Sequence, residues 1–594
     1  MSYQAPVGDI GFALRHAAGF GPALGEGLYG DLSDDVVDAV LEEAGRFATE
    51  VLAPLDTVGD RSGAQFKDGV VTTPPGWKEA YRGWTQAGWN ALAAPAQWGG
   101  QELPHAVNAA CMEMWNSAAI AFALGPLLTM AGVDALLAHG SEKLQRAYLP
   151  KLVSGEWMGT MQLTEPQAGS DVGALRTRAE RAADGSYRIS GQKIFITYGE
   201  HDLTDNIIHF LLARLPDAPP GTKGISLFVV PKFLLKPDGS PGRRNDVRAH
   251  SIEHKLGIHG SPTCTMVYGD EGGATGFLIG AENAGMACMF TMMNRARLGV
   301  GVQGVAIAER ATQQALAYAR ERRQGRAATT ASGTSAIIAH PDVKRMLLSM
   351  RALTRAARAI AYATAVAIDR AERGDGVAAG GRKAAHERAA LLTPIAKAFA
   401  TDIGCEVASL GVQVHGGMGY IEETGAAQHY RDARILPIYE GTNGIQAIDL
   451  VARKLPLSGG APARQIIGDI RRTVAAVDDV KDAAFGWTGA RLRDAADALE
   501  RATDWLLARR DNDLDTALAG ATPYLRLFGL AAGGAYLAEE ALAAARLAGN
   551  GSDACGRIAL ARFFAENFAV SAGALERIVV EGAESVNTAA ATLE

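Results

Sequence analysis

The chain has 594 residues, 48% of them hydrophobic, with a mean hydropathy of +0.01; this is too long for one core and sets a prior of about three or four domains. Its 58 Lys and Arg against 65 Asp and Glu leave a net charge of -7. That supplies no basic footprint for nucleic acid or an anionic membrane, and a small-molecule ligand is expected instead.

Residues 1–20 lack a basic region followed by a long apolar run, so no secretory signal is expected. From residue 34 to about 155 the pattern is helical: Val36, Val40, Ala44, Phe47 and Val51 recur at the spacing of an amphipathic stripe. Between about 160 and 282 short β-branched and aromatic runs at 187–197, 207–212, 225–230 and 264–268 alternate with Gly, Pro and Asp, which predicts a compact β domain. Residues 215–224, with three prolines, read as a surface turn.

Helical periodicity returns near Ala284 and lasts to Lys454, with Leu298, Val302, Val305, Ala308, Ala311 and Ala315 as its stripe. The glycine-rich piece 374–381 reads as a flexible connection and 455–462 as a linker. Helical patterns then run to the end. Within them 522–537 falls short of the ~20 residues a membrane span needs and carries Arg526, so it is expected to be a buried helix, with no integral membrane segment. The organisation is mainly α with a central β domain: an N-terminal segment (1–33), a helical domain (34–158), a β domain (159–283), a second helical domain (284–455) and an additional helical domain (463–594). Acidic residues outnumber basic ones in the last region, which is unlike a nucleic-acid-binding tail.

Cys111, Cys264, Cys288, Cys405 and Cys555 never form a C-x-x-C pair; neither a disulfide framework nor a metal site is expected, and a reducing cytoplasm fits. Gly299-Val-Gly301-Val-Gln-Gly304 satisfies the G-x-G-x-x-G string, but that motif needs a strand before it and a helix starting within it. Here it lies inside a helical stripe, where small residues let helices approach closely.

Four segments carry polar groups that packing does not explain. Met161-Gln162-Leu163-Thr164-Glu-Pro-Gln-Ala-Gly169-Ser170-Asp171 is a turn-forming stretch with two hydroxyls at the entrance to the β domain. In the strand that follows, Phe195, Ile196 and Thr197 alternate so that Phe195 and Thr197 share a face and could meet a heteroaromatic ring. Gln413-Val-His-Gly416-Gly417 ends a helix with paired glycines that allow close approach to a bulky ligand; His415 alone is weak evidence of catalysis. In Tyr439-Glu440-Gly441-Thr442-Asn443 a carboxylate stands between the apolar run 436–438 and a glycine turn, which raises its pKa toward that of a general base.

In the same order and at similar spacing, these segments resemble those of the acyl-CoA dehydrogenase family over about residues 34–454. The resemblance implies a helical domain, a β-barrel-like domain and a four-helix-bundle domain, here with a C-terminal helical extension. It implies FAD as cofactor. Met161, Gln162, Leu163, Thr164, Gly169 and Ser170 would wrap the flavin edge, with Ser170 also reaching the coenzyme A arm. Phe195, Ile196 and Thr197 would lie against the isoalloxazine, Thr197 near N5. Asn294 and Arg297 would contact the acyl-CoA, with Gly301 and Ala306 at the family's small helix positions. Arg322 would pair with the FAD pyrophosphate of a neighbouring subunit, and Gln413, Gly416 and Gly417 would touch its adenine end across a dimer.

In the same terms Glu440 is the base, Tyr439 and Gly441 line the substrate pocket, and Thr442 and Asn443 bind FAD. Members that carry the base elsewhere place it where this chain has Ala296, which leaves Glu440. Two departures concern adenine contacts: no Phe follows Glu321-Arg322, and Gly444 stands where a glutamine is common. Glu440 would remove the α-proton of an acyl-CoA thioester, its own N–H would support the developing enolate, and FAD would take the β-hydride, giving a trans-2-enoyl-CoA. Electron-transferring flavoprotein is the implied acceptor, in fatty acid metabolism.

The opening residues 3–12 and the C-terminal extension are similar to a longer bacterial branch of the family that acts on methylthiopropanoyl-CoA or on ordinary fatty acyl-CoAs. A short or medium chain is the expected substrate, and a homodimer the expected assembly. An acyl-CoA oxidase would use the same base and differ in oxygen access; a DNA-binding relative would need the basic tail this chain lacks.

Overall fold

The structure is a computed structural model and describes residues 3–374, 379–547 and 553–593. It divides into two units, each assembled from separated pieces. The larger comprises Met1–Arg46, Pro104–Ser117 and Arg297–Glu594, and the smaller Phe47–Leu103 and Ala118–Ala296. Of the connection expected at 374–381, residues 375–378 lie outside the described residues, and 379–381 already belong to a helix.

The helices that matter here are α1 (Asp34–Phe47), α2 (His105–His139), α3 (Gly285–Glu321), α4 (Pro341–Arg373), α5 (Ala379–His415), α6 (Asn443–Asp449) and α7 (Ala521–Arg546). The α3 stripe from Leu298 to Ala315 is buried throughout. Helices α3 and α5 touch through their backbones: a Cβ on Gly301 would come within 2.7 Å of the Ala396 carbonyl oxygen, and one on Gly304 would collide with that of Ala400. The G-x-G-x-x-G string is therefore a helix-packing surface in mid-helix, as its lack of a preceding strand requires. Residues 522–537 lie within α7, most of which is buried.

Helix α1 forms where expected but turns a neighbouring face inward. Val37, Leu41 and Ala44 are buried, while Val36 is 47% exposed. Adjacent apolar pairs, Val36–Val37 and Val40–Leu41, offer the same period in two registers one residue apart, and tertiary packing chooses between them. The 455–462 segment is a tight reversal rather than an open linker: Leu455 is fully buried, and Ser458, Gly459 and Gly460 all have positive φ. Among the described residues two helical stretches are long and apolar enough to cross a membrane, α2 and the run Ala554–Leu593. The most apolar window of α2 is 83% buried, as in a core helix, against 39% for the second, which is broken by 3-10 and π turns.

The smaller unit is built on an eight-stranded sheet: β1 (Met158–Gln162), β2 (Arg178–Arg181), β3 (Tyr187–Thr197), β4 (Ile207–Arg214), β5 (Ile225–Pro231), β6 (Val247–Ile252), β7 (Thr263–Tyr268) and β8 (Ala274–Ile279). The order is β6-β7-β3-β8-β5-β4-β1, with β2 pairing β3 and β4. Neighbours are antiparallel except where β1 and β2 meet β4. Strands β4 and β5 are buried on both faces: Ile208, Phe210 and Leu212 pack with Leu149 and Leu152 on one side, and Leu211, Phe228 and Val230 with Tyr268 on the other. Double burial makes their sequences continuously apolar.

Candidate active site

In the larger unit, Glu440 sits on a turn closed by the Asn443 N–H donating to the Pro437 carbonyl at 2.9 Å. Its φ is +57°, and that of Gly441 is +79°. Left-handed backbone at a residue with a Cβ costs about 1–2 kcal/mol, so this turn holds the glutamate in place against strain. Glu440 Oε2 is buried and has no hydrogen-bond partner among the described residues. Burial raises this carboxyl from the ordinary glutamate value to about 7, with Arg297 and Lys397 opposing the rise. The Glu440 main-chain N–H donates to no backbone carbonyl among the described residues.

Around the turn most of the other polar side chains are engaged, although Gln446 Oε1 is also buried without a hydrogen-bond partner among the described residues. Gln446 Nε2 donates to the Glu440 carbonyl at 3.1 Å. The Tyr439 hydroxyl donates to Gln303 Oε1 at 2.5 Å, and Gln303 Nε2 to Asn116 Oδ1 at 3.0 Å. Thr442 caps α6 by accepting from the Ile445 N–H. Arg297, nearly fully buried, stands 3.7 Å from Asp449. The Asn443 side chain is spent within this subunit: its amide donates to the Ala398 carbonyl, Thr401 Oγ1 and Asp402 Oδ1, and its Oδ1 accepts from Lys397. The fully buried Lys397 also donates to the Gly441 carbonyl at 2.9 Å. Lys397, Gln303 and Gln446 were not singled out in the sequence; a lysine inside the apolar run 394–400 was the one available signal.

In the smaller unit, Phe195 is 59% exposed with φ +59°, at a point where the β3–β7 register slips beside Cys264 and Met266. A bulge with left-handed backbone thus pushes an aromatic ring out of the sheet, while Ile196 is buried on the opposite side. A large aromatic held exposed at a strained position is a candidate ligand contact. The Thr197 carbonyl accepts from Thr160 Oγ1.

The segment 161–171 is fastened to this strand. The Ile194 N–H donates to the Thr164 carbonyl, and Lys193 Nζ to the Leu163 carbonyl and to Glu165 Oε1 at 2.8 Å. Glu165 also accepts from the N–H groups of Arg176 and Thr177 and from Gln167. Burial would raise this carboxyl, yet Lys193 and these donors hold it down to about 2. The Gln162 side chain points into the core, where it meets His209 and Tyr268, so only its main chain is available to a ligand. Met161 is half-buried, and Gly169 and Ser170 are exposed. Asn294, Arg322, Gln413, Gly416 and Gly417 are exposed as well. Among the described residues no group of His, Cys, Asp and Glu is arranged to hold a metal.

Family models cover nearly the whole chain: acyl-CoA dehydrogenase N-terminal domain over 35–156, middle domain over 160–270, C-terminal domain over 283–455, and an acetyl-CoA dehydrogenase C-terminal-like model over 466–590. The chain belongs to the acyl-CoA dehydrogenase family, flavoenzymes that use FAD to dehydrogenate acyl-CoA thioesters. A 3-methylmercaptopropionyl-CoA dehydrogenase of Ruegeria pomeroyi is 48% identical over 99% of this chain and 100% of its own length. A butyryl-CoA dehydrogenase of Syntrophomonas wolfei is 35% identical over 95% of each chain. Among solved structures, an acyl-CoA dehydrogenase complexed with FAD from Bacillus anthracis shares the fold, with a TM-score of 0.73 at 22% identity over 95% of this chain and 91% of that one.

Proposed function

We propose that Glu440 is the base that removes the α-proton, and that the substrate is a short- or medium-chain acyl-CoA, with 3-methylmercaptopropionyl-CoA the first to test. The Glu440 carboxyl carries this reading: it is buried, lacks a partner on Oε2 and is raised to about 7, which suits proton transfer near neutral pH. The substrate choice rests on the 48% identity to the Ruegeria pomeroyi enzyme.

An enolate forming at the thioester needs a donor at its oxygen, and the Glu440 N–H is suited to the task. Bound FAD supplies a two-electron acceptor for the β-hydride. The main chain of Met161–Thr164 with Ser170, the exposed ring of Phe195 and the hydroxyl of Thr197 fit a flat heteroaromatic ring with polar edges. Arg322, Gln413, Gly416 and Gly417, all exposed, are free to serve a neighbouring copy, and a homodimer follows from that reading. Thr442 and Gly441 contribute the turn that aims the base. Electron-transferring flavoprotein as acceptor and a cytoplasmic location complete the proposal; five free cysteines agree with a reducing compartment.

Anaerobic titration of the purified flavoprotein with methylmercaptopropionyl-CoA, butanoyl-CoA, octanoyl-CoA and palmitoyl-CoA tests it. Bleaching by the shorter thioesters, lost in Glu440→Gln, is the expected result. Preference for palmitoyl-CoA would overturn the substrate reading, and full bleaching in Glu440→Gln would overturn the base.

A further inference from the structure

Lys397 is a cation inside the protein. It lies on α5 in the apolar run Pro394-Ile-Ala-Lys-Ala-Phe-Ala400, and its side chain is wholly removed from water. Burying an ammonium is costly unless it is paired and hydrogen-bonded. Both hydrogen bonds it makes end on one short stretch of chain: the Gly441 carbonyl at 2.9 Å and Asn443 Oδ1 at 2.8 Å, on either side of Thr442. The residue next to Gly441 is Glu440, whose turn is strained and whose Oε2 has no partner.

We propose that Lys397 is a positioning residue for proton abstraction: it clamps the strained turn from behind through Gly441 and Asn443, and its charge sets the protonation state of the Glu440 carboxyl without touching the substrate. This rests on the reading of Glu440 as the base. Thr401, one turn along α5, donates to the Lys397 carbonyl and accepts from the Asn443 amide, so the clamp and the helix that carries it form one hydrogen-bonded unit. An amide or carbonyl partner at Gly441 could have been met by any neutral donor; a lysine adds a charge beside the base.

The charged groups that bear most on this arrangement face it from several elements. Glu440, Asp402 and Cys405 favour the ammonium, and Arg297 disfavours it. Glu440 faces Arg297 and Lys397; Arg297 in turn is offset by Asp449 beside Arg453. Burial pushes Lys397 down to about 7, the value to which burial raises Glu440. Each group favours the ionised form of the other.

The test compares Lys397→Met, of similar length and uncharged, with Lys397→Arg, which keeps the charge in a different shape, and with Glu440→Gln. Three quantities are read: the pH profile of anaerobic flavin reduction by butanoyl-CoA, the infrared band of the protonated carboxylic acid that disappears in Glu440→Gln, and the flavin content with its melting temperature. In Lys397→Met the rising limb of the rate profile and the infrared midpoint both move up by about one pH unit, as loss of a neighbouring opposite charge requires. In Lys397→Arg the midpoint stays near that of the parent while the rate falls about tenfold, because the longer planar group misplaces the turn. A purely structural lysine would lower melting temperature and flavin content in both variants with the infrared midpoint unmoved, and that result overturns the proposal. Should Lys397→Met fail to fold, an unmoved rate and infrared midpoint in Lys397→Arg at full rate would overturn it equally. A Glu440→Gln variant that still bleaches rapidly would refute the base itself, an outcome distinct from either result at Lys397.

Discussion

The 161–171 loop and the 437–443 turn each take a glutamate carboxyl out of water, and the two end in opposite states. Glu165 accepts from an ammonium, two main-chain N–H groups and an amide, and is held down to about 2. Glu440 keeps Oε2 without a donor and is raised to about 7. Burial pushes both upward; the number of donors decides which glutamate remains an anion that fastens a loop and which can accept a proton at neutral pH. On the reading proposed for Glu440 the loop is scaffold and the turn carries the chemistry, although both flank predicted ligand contacts.

The sharpest way to break this contrast is at Glu440, the proposed base. Glu440→Gln is expected to slow flavin reduction by about 10⁴-fold while the protein retains FAD, measured by anaerobic stopped-flow; a loss under tenfold would remove the distinction. Next in size, Glu165→Gln leaves the Lys193 ammonium buried without its counter-ion and is expected to cost about 3–5 kcal/mol in denaturant unfolding. Pairing it with Lys193→Met should recover most of that cost, because the exposed penalty is the unpaired charge.

The third effect has opposite signs at the two glutamates. Glu440 has a raised pKa in the folded protein, so the folded state binds the extra proton and stability is lost as pH rises from the ordinary glutamate range through about 7. Glu440→Gln is therefore expected to be more stable than the parent at pH 8, by up to about 3 kcal/mol, and no more stable at pH 4, as read from melting curves. Glu165 has a depressed pKa, and its contribution is present above the ordinary glutamate range and is lost as pH falls toward about 2. The smallest change is Tyr439→Phe, which removes the hydrogen bond to Gln303. A cost of about 1 kcal/mol, seen as a several-fold lower kcat with FAD binding intact, is expected.

The Glu440 turn, the strand around Phe195 and the helix end at Gly416 were legible because each is written locally. Glu440 is followed by a glycine turn, Phe195 stands in a β-branched run, and Gly416 closes a helix. What was not legible depends on distant partners. Lys193 and Glu165 are 28 residues apart, and neither shows its ion pair in its own surroundings. Lys397 reads as a polar interruption of an apolar helix until the turn 44 residues later is folded against it. Strands β6 and β8 escaped notice because β6 alternates with exposed Arg248 and His250 and β8 contains Gly276, so neither shows a sustained apolar run. The α1 face was misread by one residue because its apolar positions come in neighbouring pairs. The Asn443 side chain, expected at the cofactor, is bound to helix α5, a use that no reading of the Glu-Gly-Thr-Asn string supplies.

The contact between α3 and α5 sets a mechanical tolerance for the site. A Cβ on Gly301 would meet the Ala396 carbonyl and the Lys397 main-chain nitrogen, and one on Gly304 the main chain of Ala400 and Thr401, so the residues that grip the Glu440 turn ride on a seam where main chain lies against main chain. One methyl group added there would act as a shim, lifting Lys397 and Thr401 away from Asn443 together. Substitutions at Gly301 or Gly304 would then look like active-site lesions although neither residue bears a functional group, because the zero of the ruler by which the base is placed is a gap with no room for a side chain.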